Sequence, residues 1–464
     1  MVGAMDRALF DELPEQAAPE RPDGGLPRLR TAERRQVELR AVSLDELIPA
    51  DHRVRLVWNF VEGLELSALY QVIKAVEGHP GHPPADPRIL VALWLYATVE
   101  GIGSARQLAR LCEEHHGFQW LCGGVGMNHK TLADFRVAHG AVLERLLVDS
   151  FTGLLKAGVA SLDRVAQDGV RVRASAGAAS FRRHSTLREC HRQAAEEVRR
   201  LRAEVDADPA AASRREAAAR KRAAEDRARR VKEALAVTGE LRARQEEKAR
   251  KQAERAAKRG ETDGGESSAK APEPEPEPEP RASTTDAQAR VMKMADGGFR
   301  PAYNVQFAAD TQSGAVAGVA VDNVGSDMGK MAPMNDALAT AYGRRPSQHL
   351  ADGGFAKLKD IVALSRAGVE AYVPVPEPRD KTRDRHAPHP GDPPEVADWR
   401  GRMASAAAKA IYKERAATVE CVNAQARNRG LTRFIVRGID KVKAVATWYA
   451  LAHNMACSWR LAAT

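Results

Sequence analysis

The chain has 464 residues, enough for two or three domains rather than one ordinary core. Hydrophobic residues make up 44%, aromatics 5% and charged residues 29%, and no apolar run approaches the roughly 20 residues of a spanning helix, so a membrane protein is not expected. The net charge is +9, from 71 Lys and Arg against 62 Asp and Glu, which points to a polyanionic partner.

The positive charge is confined to two segments. Residues 182–259 hold 24 Lys and Arg against 14 Asp and Glu, and residues 409–464 hold 10 against 3. Five scattered cysteines (Cys112, Cys122, Cys190, Cys421 and Cys457) suit a reducing cytoplasm better than a disulfide framework. Residues 1–30 are rich in Pro, Glu and Arg without an apolar stretch, so they read as a disordered leader rather than a secretory signal.

From Thr31 to about residue 160 the periodicity is helical. Arg88 to Val99 is apolar nearly all round and predicts a buried helix. Ser104 caps a following helix, and Asn128 or Thr131 begins another that runs to Phe151. Short helices between Gly-rich turns suit a helix-turn-helix arrangement or a plain bundle. Val165 to Ala176 alternates as a strand with Asp168 inside it. Residues 181–260 then change to an Ala, Arg and Glu-rich tract with a thin apolar seam, read as a coiled-coil hairpin broken near Asp208-Pro209. Residues 261–285, with their Pro-Glu run, read as an extended linker.

Ordered sequence is expected again from about Val291. Tyr303–Asp310 and Ala315–Asp322 alternate on either side of the turn Thr311-Gln-Ser-Gly314 and predict a β-hairpin. A helix over Pro333–Tyr342, a strand over His349–Asp352, a helix over Ala356–Arg366 and a strand over Tyr372–Val375 follow. Long helices are expected over Trp399–Gln425 and Asp440–Leu461. The order predicts a mixed α/β sheet over 161–180 and 286–464, interrupted by the charged insertion and preceded by an all-α domain over 31–160.

Reactive side chains of such a sheet collect at strand ends. Asp168 lies in the first strand, Asp352 closes a later one before Gly353-Gly354, and Glu420 lies on the helix after Tyr412 and Arg415. Three converging carboxylates repel one another unless a divalent cation neutralises them, and oxygen-only ligands suit Mg²⁺ or Mn²⁺. Two such ions can drive phosphodiester displacement. Both Asp-Gly sites also suit plain turns, and Glu420 suits a solvated helix face. Asp296, Asp310 and Asp322 are weaker rivals. Cys112, His115, Cys122 and His129 lack the tight pairing of a zinc site, and no phosphate-binding Gly loop supports ATP use.

The segment YKERAATVE followed by Arg427 resembles the Tyr-x-x-Arg…Glu…Lys/Arg signature of bacterial insertion-sequence transposases of the DDE type, in the subgroup with a long charged insertion after the first strand. IPADHRVRLV, the helix at Arg88 with its continuation to Glu114, NHKTLADFR, QDGVRVRASA, YNVQFAADTQSG, LADGGF and RFIVRGIDKVKAVATWYALAHNM match in order, from about Leu39 to Arg460. Where that family usually carries Pro-Val-Phe-Gly after the glutamate, this chain has Cys421-Val422-Asn423-Ala424, and Arg427 stands for the usual Lys.

The resemblance implies an RNase H-like catalytic domain, an N-terminal helical DNA-binding domain, and Asp168, Asp352 and Glu420 as a triad holding two Mg²⁺ or Mn²⁺ ions. It implies double-stranded DNA as partner, a homodimer on that DNA, and a cytoplasmic, nucleoid-associated protein that cuts at terminal inverted repeats and joins 3′-hydroxyl ends to target DNA. Tyr412, Arg415, Arg427, Arg433, Arg437 and Lys441 are then expected at DNA phosphates, and Asn128, His129, Lys130, Thr131 and Arg136 at the transposon ends. A nuclease that cuts without joining and an inactive copy that only binds DNA are the alternatives.

Overall fold

The computed structural model describes Arg35 and residues 41–78, 81–207, 211–262, 279–378, 380 and 382–462. The chain divides into two units, Met1–Ser43 and Leu44–Thr464. The expected leader over 1–30, the break at Asp208-Pro209 and most of the Pro-Glu segment lie outside the described residues. All elements below belong to the second unit.

Seven helices come first: α1 Arg53–Glu62, α2 Ser67–Tyr70, α3 Pro87–Val99, α4 Ala105–Glu114, α5 His116–Cys122, α6 His129–Ala138 and α7 Gly140–Lys156. Asp86 caps α3 by accepting from the Arg88 amide, and Pro87 opens the helix where its missing N–H costs nothing. Ten consecutive or near-consecutive residues of α3, from Pro87 to Thr98, are buried, as its all-round apolar sequence requires. Ser104 caps α4, and Asn128 caps α6 by accepting from the Lys130 and Thr131 amides. The single helix expected to run to Phe151 is two, because His139 leaves helical backbone at φ −115°, ψ 41°.

A mixed sheet follows, built from β1 Arg164–Arg173, β4 Arg290–Lys293, β5 Phe299–Asp310, β6 Val316–Asp322, β7 Gln348–Ala351 and β8 Glu370–Tyr372. A two-stranded ribbon pairs β2 Phe181–Arg183 with β3 Arg281–Ser283. The sheet order is β4-β5-β1-β7-β8, with β6 also on β5. β5 runs antiparallel to β1, whereas β7 and β8 run parallel to it and its neighbour. β4 takes the first residues of β5 and β6 the later ones, so both share one edge. The expected hairpin over residues 303–322 is present.

The charged insertion forms two helices, α8 His184–Ala207 and α9 Ala211–Thr262. They are antiparallel, since Arg202 meets Glu225 at 2.9 Å near the tip while the His184 ring lies 2.9 Å from the Thr238 hydroxyl near the base. A small cluster of Leu187, Val231, Ala234, Ala282 and Ala287 seats the pair on the ribbon.

Helices α10 Met331–Tyr342, α11 Leu358–Arg366 and α12 Pro394–Ala404 pack around the sheet, followed by α13 Ala406–Arg415, α14 Cys421–Asn428 and α15 Ile439–Ala462. The long helix expected from Trp399 is interrupted. Ser405 is extended (ψ 150°) and caps α13 through the Ala408 amide, and a single π turn, Ala416–Glu420, separates α13 from α14. The last helix, α15, is buried on nearly every side. Trp448, Leu451, Ala452 and Met455 join α1, α3, α6, α7, β1 and β5 in one continuous core. Fully withdrawing a side chain such as Leu451 or Met455 from water stabilises by roughly 1.5–3 kcal/mol. Within α15, Asn454 brackets the start of β6, accepting from the Val316 amide and donating to its carbonyl, and His453 bonds the Gly314 carbonyl. Both are structural. Among the described residues no helix is long and apolar enough to cross a membrane.

Candidate active site

The parallel pairing of β1 with β7 ends at Gln167 opposite Ala351. Asp168 and Asp352 are the next residues on the two strands, so the fold brings them side by side from positions far apart in the chain. The Asp352 carboxylate accepts from the Gly354 amide at 2.8 Å as the chain turns away. Asp168 accepts from the Gly169 amide at 2.9 Å and from Asn423 Nδ2 at 2.9 Å.

Burial pushes the Asp168 carboxyl up to about 6, against the pull of the Gly169 N–H; Asp352 pushes the same way, Arg415 opposes, and Asp327 adds to the rise. Two carboxylates and a buried environment thus make a full negative charge at Asp168 unfavourable on its own.

Glu420 reaches this neighbourhood from the helical side. In the π turn, residues five apart stack, which places Glu420 over Arg415 with Nη2 to Oε1 at 2.7 Å. Arg415 also faces the Tyr412 ring at 5.7 Å and feels the Asp168 charge; burial works against its cation, but Tyr412, Glu420 and Asp168 outweigh it and raise its pKa. Burial likewise raises the Tyr412 hydroxyl. Arg164 fastens α13 to the sheet, holding Gln348 at 2.6 Å and Glu414 at 2.5 Å. The Glu420 side chain remains 57% exposed, turned to Arg415.

Two further residues partner this site: Asn423, at helical spacing from Glu420 and Arg427, and Asp327, which carries no signature in the sequence. Asn423 is 5% exposed and its Oδ1 has no hydrogen-bond partner. Asp327, in the loop after β6, accepts from Asn304 Nδ2 and Gln306 Nε2, each at 2.6 Å. These groups press on Gly169, where a Cβ would lie 2.3 Å from Asp327 Oδ1 and 2.4 Å from Gln306 Nε2. Gln306 in turn accepts from Gln167, whose Oε1 lies 2.9 Å from His349 Nε2; burial lowers that histidine to about 4, so it is neutral. The rival acids have other duties. Asp296 pairs with Arg300, Asp310 is buried and accepts from Leu162 and Ser313, and Asp322 pairs with Lys330.

Of the remaining expected DNA contacts, Arg427, Arg433, Arg437 and Lys441 are exposed, as are Asn128, His129, Lys130 and Thr131 at the start of α6. Arg136 is a correction. It is 6% exposed, lies over the Trp94 ring at 4.6 Å and donates to the Gly103 carbonyl at 2.5 Å, and burial lowers it to about 10. A guanidinium so packed ties α6 to α3 and to the turn before α4 and does not stand free for a contact with DNA.

The donors around Asp168 are oxygens only: two carboxylates and the unpartnered Asn423 amide oxygen. That set fits a hard divalent cation, which would relieve the unfavourable charge at Asp168. Among the described residues no three His, Cys, Asp or Glu side chains are grouped closely enough to hold a metal ion.

Two family comparisons match the chain. Residues 42–138 match the family described as Transposase domain (DUF772), and residues 391–457 match the Transposase DDE domain. No curated protein and no solved structure matches. The first match spans α1 to α6, and the second runs from α12 through the π turn and Glu420 into α15. Two transposase matches in this order support an insertion-sequence transposase of the DDE type.

Proposed function

We propose that the protein is a metal-dependent DNA transposase whose reacting centre is formed by Asp168, Asp352 and Glu420. The observation that carries this reading is the Asp168–Asp352 pair just past the last parallel rung between β1 and β7, with Arg415 facing it from the end of α13. The strand order, with an antiparallel β5–β6 hairpin on one side of β1 and parallel β7 and β8 on the other, supports an RNase H-like sheet.

Asp168 and Asp352 would hold Mg²⁺ or Mn²⁺, with Glu420 completing the set once it leaves Arg415. The bound cations supply charge neutralisation and activation of the attacking oxygen in phosphodiester hydrolysis and strand transfer. The chain's own groups do the rest. Asn423 fixes the Asp168 carboxylate, Arg415 and Tyr412 present donors to a phosphate, and Arg427, Arg433, Arg437 and Lys441 hold the backbone without reading sequence. Sequence choice at the transposon ends falls to the exposed start of α6, with Asn128, His129, Lys130 and Thr131, and the protein acts as a dimer on DNA.

The test uses a duplex carrying the terminal repeat in Mg²⁺. Asp168→Asn, Asp352→Asn and Glu420→Gln are each expected to lower cleavage by at least about 10³-fold while binding persists. Cleavage retained by any one of them removes that residue from the centre. The Glu420–Arg415 pair favours one second reading, a copy that binds DNA without cutting it. That reading requires the unaltered protein to bind the repeat and show no cleavage in Mg²⁺ or Mn²⁺.

A further inference from the structure

A cleft of about 390 Å³ opens at the far end of β1, lined by Arg171, Arg173, Arg300, Arg427, Asp296 and Thr432 among others. Four guanidinium groups face a single carboxylate there. Three parts of the fold frame it: the end of β1, the β4–β5 turn, and the segment after α14. The frame is fixed by backbone bonds, since the Arg173 amide donates to the Thr432 carbonyl at 3.2 Å and the Phe434 amide donates to the Arg173 carbonyl at 2.8 Å.

The four arginines divide into two kinds. Arg171 is spent on the fold. It donates to the Gly325 carbonyl at 2.7 Å and to the Lys293 carbonyl at 3.3 Å, with Asp327 at 3.7 Å. Arg300 is paired with Asp296 at 2.7 Å, which keeps it at the rim with part of its fork unused. Arg173 and Arg427 are exposed and have no side-chain partner among the described residues. Two uncompensated cations flanking a concave surface, with a third held alongside, form a receptor for a diffuse anion with several acceptor oxygens.

The cleft shares its strand and its helix with the residues that hold Asp168. Arg427 is one helical turn beyond Asn423, whose amide touches Asp168, and Arg173 is five residues beyond Asp168, about 17 Å along an extended strand.

We propose that this cleft is a subsite for the phosphodiester backbone of duplex DNA, with Arg173 and Arg300 as its previously unassigned contacts. The inference rests on the transposase reading above. Contacts of this kind to backbone phosphates contribute affinity that is independent of sequence.

The experiment follows binding of the full chain to a fluorescein-labelled duplex of arbitrary sequence by anisotropy, in EDTA, over a series of NaCl concentrations. For Arg173→Ala the slope of log affinity against log salt is expected to fall by about 1, with affinity lowered about threefold or more at moderate salt. Arg173→Ala with Arg300→Ala is expected to fall further, and Arg173→Lys to keep the slope of the unaltered protein. An unchanged slope and affinity in the double variant overturns the cleft while leaving the transposase reading intact. An equal loss in Arg173→Lys also overturns it, because the effect is then one of packing rather than charge. Failure of the unaltered protein to bind DNA in a salt-dependent way overturns both readings.

Discussion

Asn423 Nδ2 and Asp168 Oδ2 meet at 2.9 Å across 255 positions of sequence, joining helix α14 to the central strand β1 at the acidic pair. An N–H donated to a carboxylate favours its charged form, and here it acts on a group that burial and Asp352 have already pushed upward.

Asn423→Ala removes that donor, so the Asp168 carboxyl is expected to rise above its value of about 6. The acid limb of the cleavage-against-pH profile then moves to higher pH, and half-maximal cleavage needs on the order of tenfold more Mg²⁺. Superimposable pH profiles and Mg²⁺ titrations for the two proteins would show that the contact does not tune Asp168.

The raised carboxyl at Asp168 also sets a pH dependence of stability. Its folded value of about 6 lies above the unfolded value of 3.8, so its stabilising proton is fully held below about pH 4 and lost as the pH rises through 6. Asp168→Asn is therefore expected to gain on the parent protein between pH 4 and pH 7.5, by on the order of 2 kcal/mol in metal-free buffer. Scanning calorimetry at the two pH values checks this. Added Mg²⁺ is expected to raise the melting temperature of the parent and not of the variant.

Gly169→Ala drives a methyl group into Asp327, Gln306 and Asn304. All three are side-chain atoms, but two are already committed to the 2.6 Å bonds on Asp327, so yielding breaks those bonds. A loss of about 1–3 kcal/mol is expected in urea titration. A change below about 0.5 kcal/mol would mean that the network has slack.

The arm of α8 and α9 leaves and rejoins the body at Arg183 opposite Arg281. An Asn-Gly turn joining those two residues closes the ribbon as a hairpin. The shortened protein is expected to fold, because the arm's apolar contacts are a cluster separate from the main core. The arm is proposed as a dimer contact or a DNA clamp; if it is the dimer contact, light scattering of the complex with a terminal-repeat duplex should change from two copies per duplex to one. Persistence of the dimer would place that contact elsewhere.

Much of this arrangement is legible from local pattern. The alternation around Asp168 sets it inside a strand, and the apolar run before Asp352-Gly353-Gly354 sets Asp352 at the end of one, because period-two burial is a property of each strand alone. The paired segments 303–310 and 315–322 announce their hairpin for the same reason. What escapes depends on contacts made at a distance. Ser405 sits in an Ala-rich run without Gly or Pro, so the helix break there is invisible until the chain packs. The π turn that stacks Glu420 on Arg415 has no compositional mark, and helical spacing alone assigns Glu420 a different azimuth. Arg136 reads as a surface cation on a helix, yet the Trp94 face and the Gly103 carbonyl draw it inward. Asp327 gains its place only through Asn304 and Gln306 on β5, and Asn423 only through β1.

Helix α9 has 52 residues and α8 has 24. Past Thr238, opposite the start of α8, α9 continues to Thr262, about 36 Å at the helical rise. From Glu246 to Glu254 every residue is exposed, and pairs such as Lys251 with Glu247 and Arg250 with Glu254 link only successive turns. An exposed helical stretch of this kind draws its order from propensity and close-range charge, so it frays first on warming or in concentrated salt. Its amide protons should exchange with solvent long before those of α15 begin to.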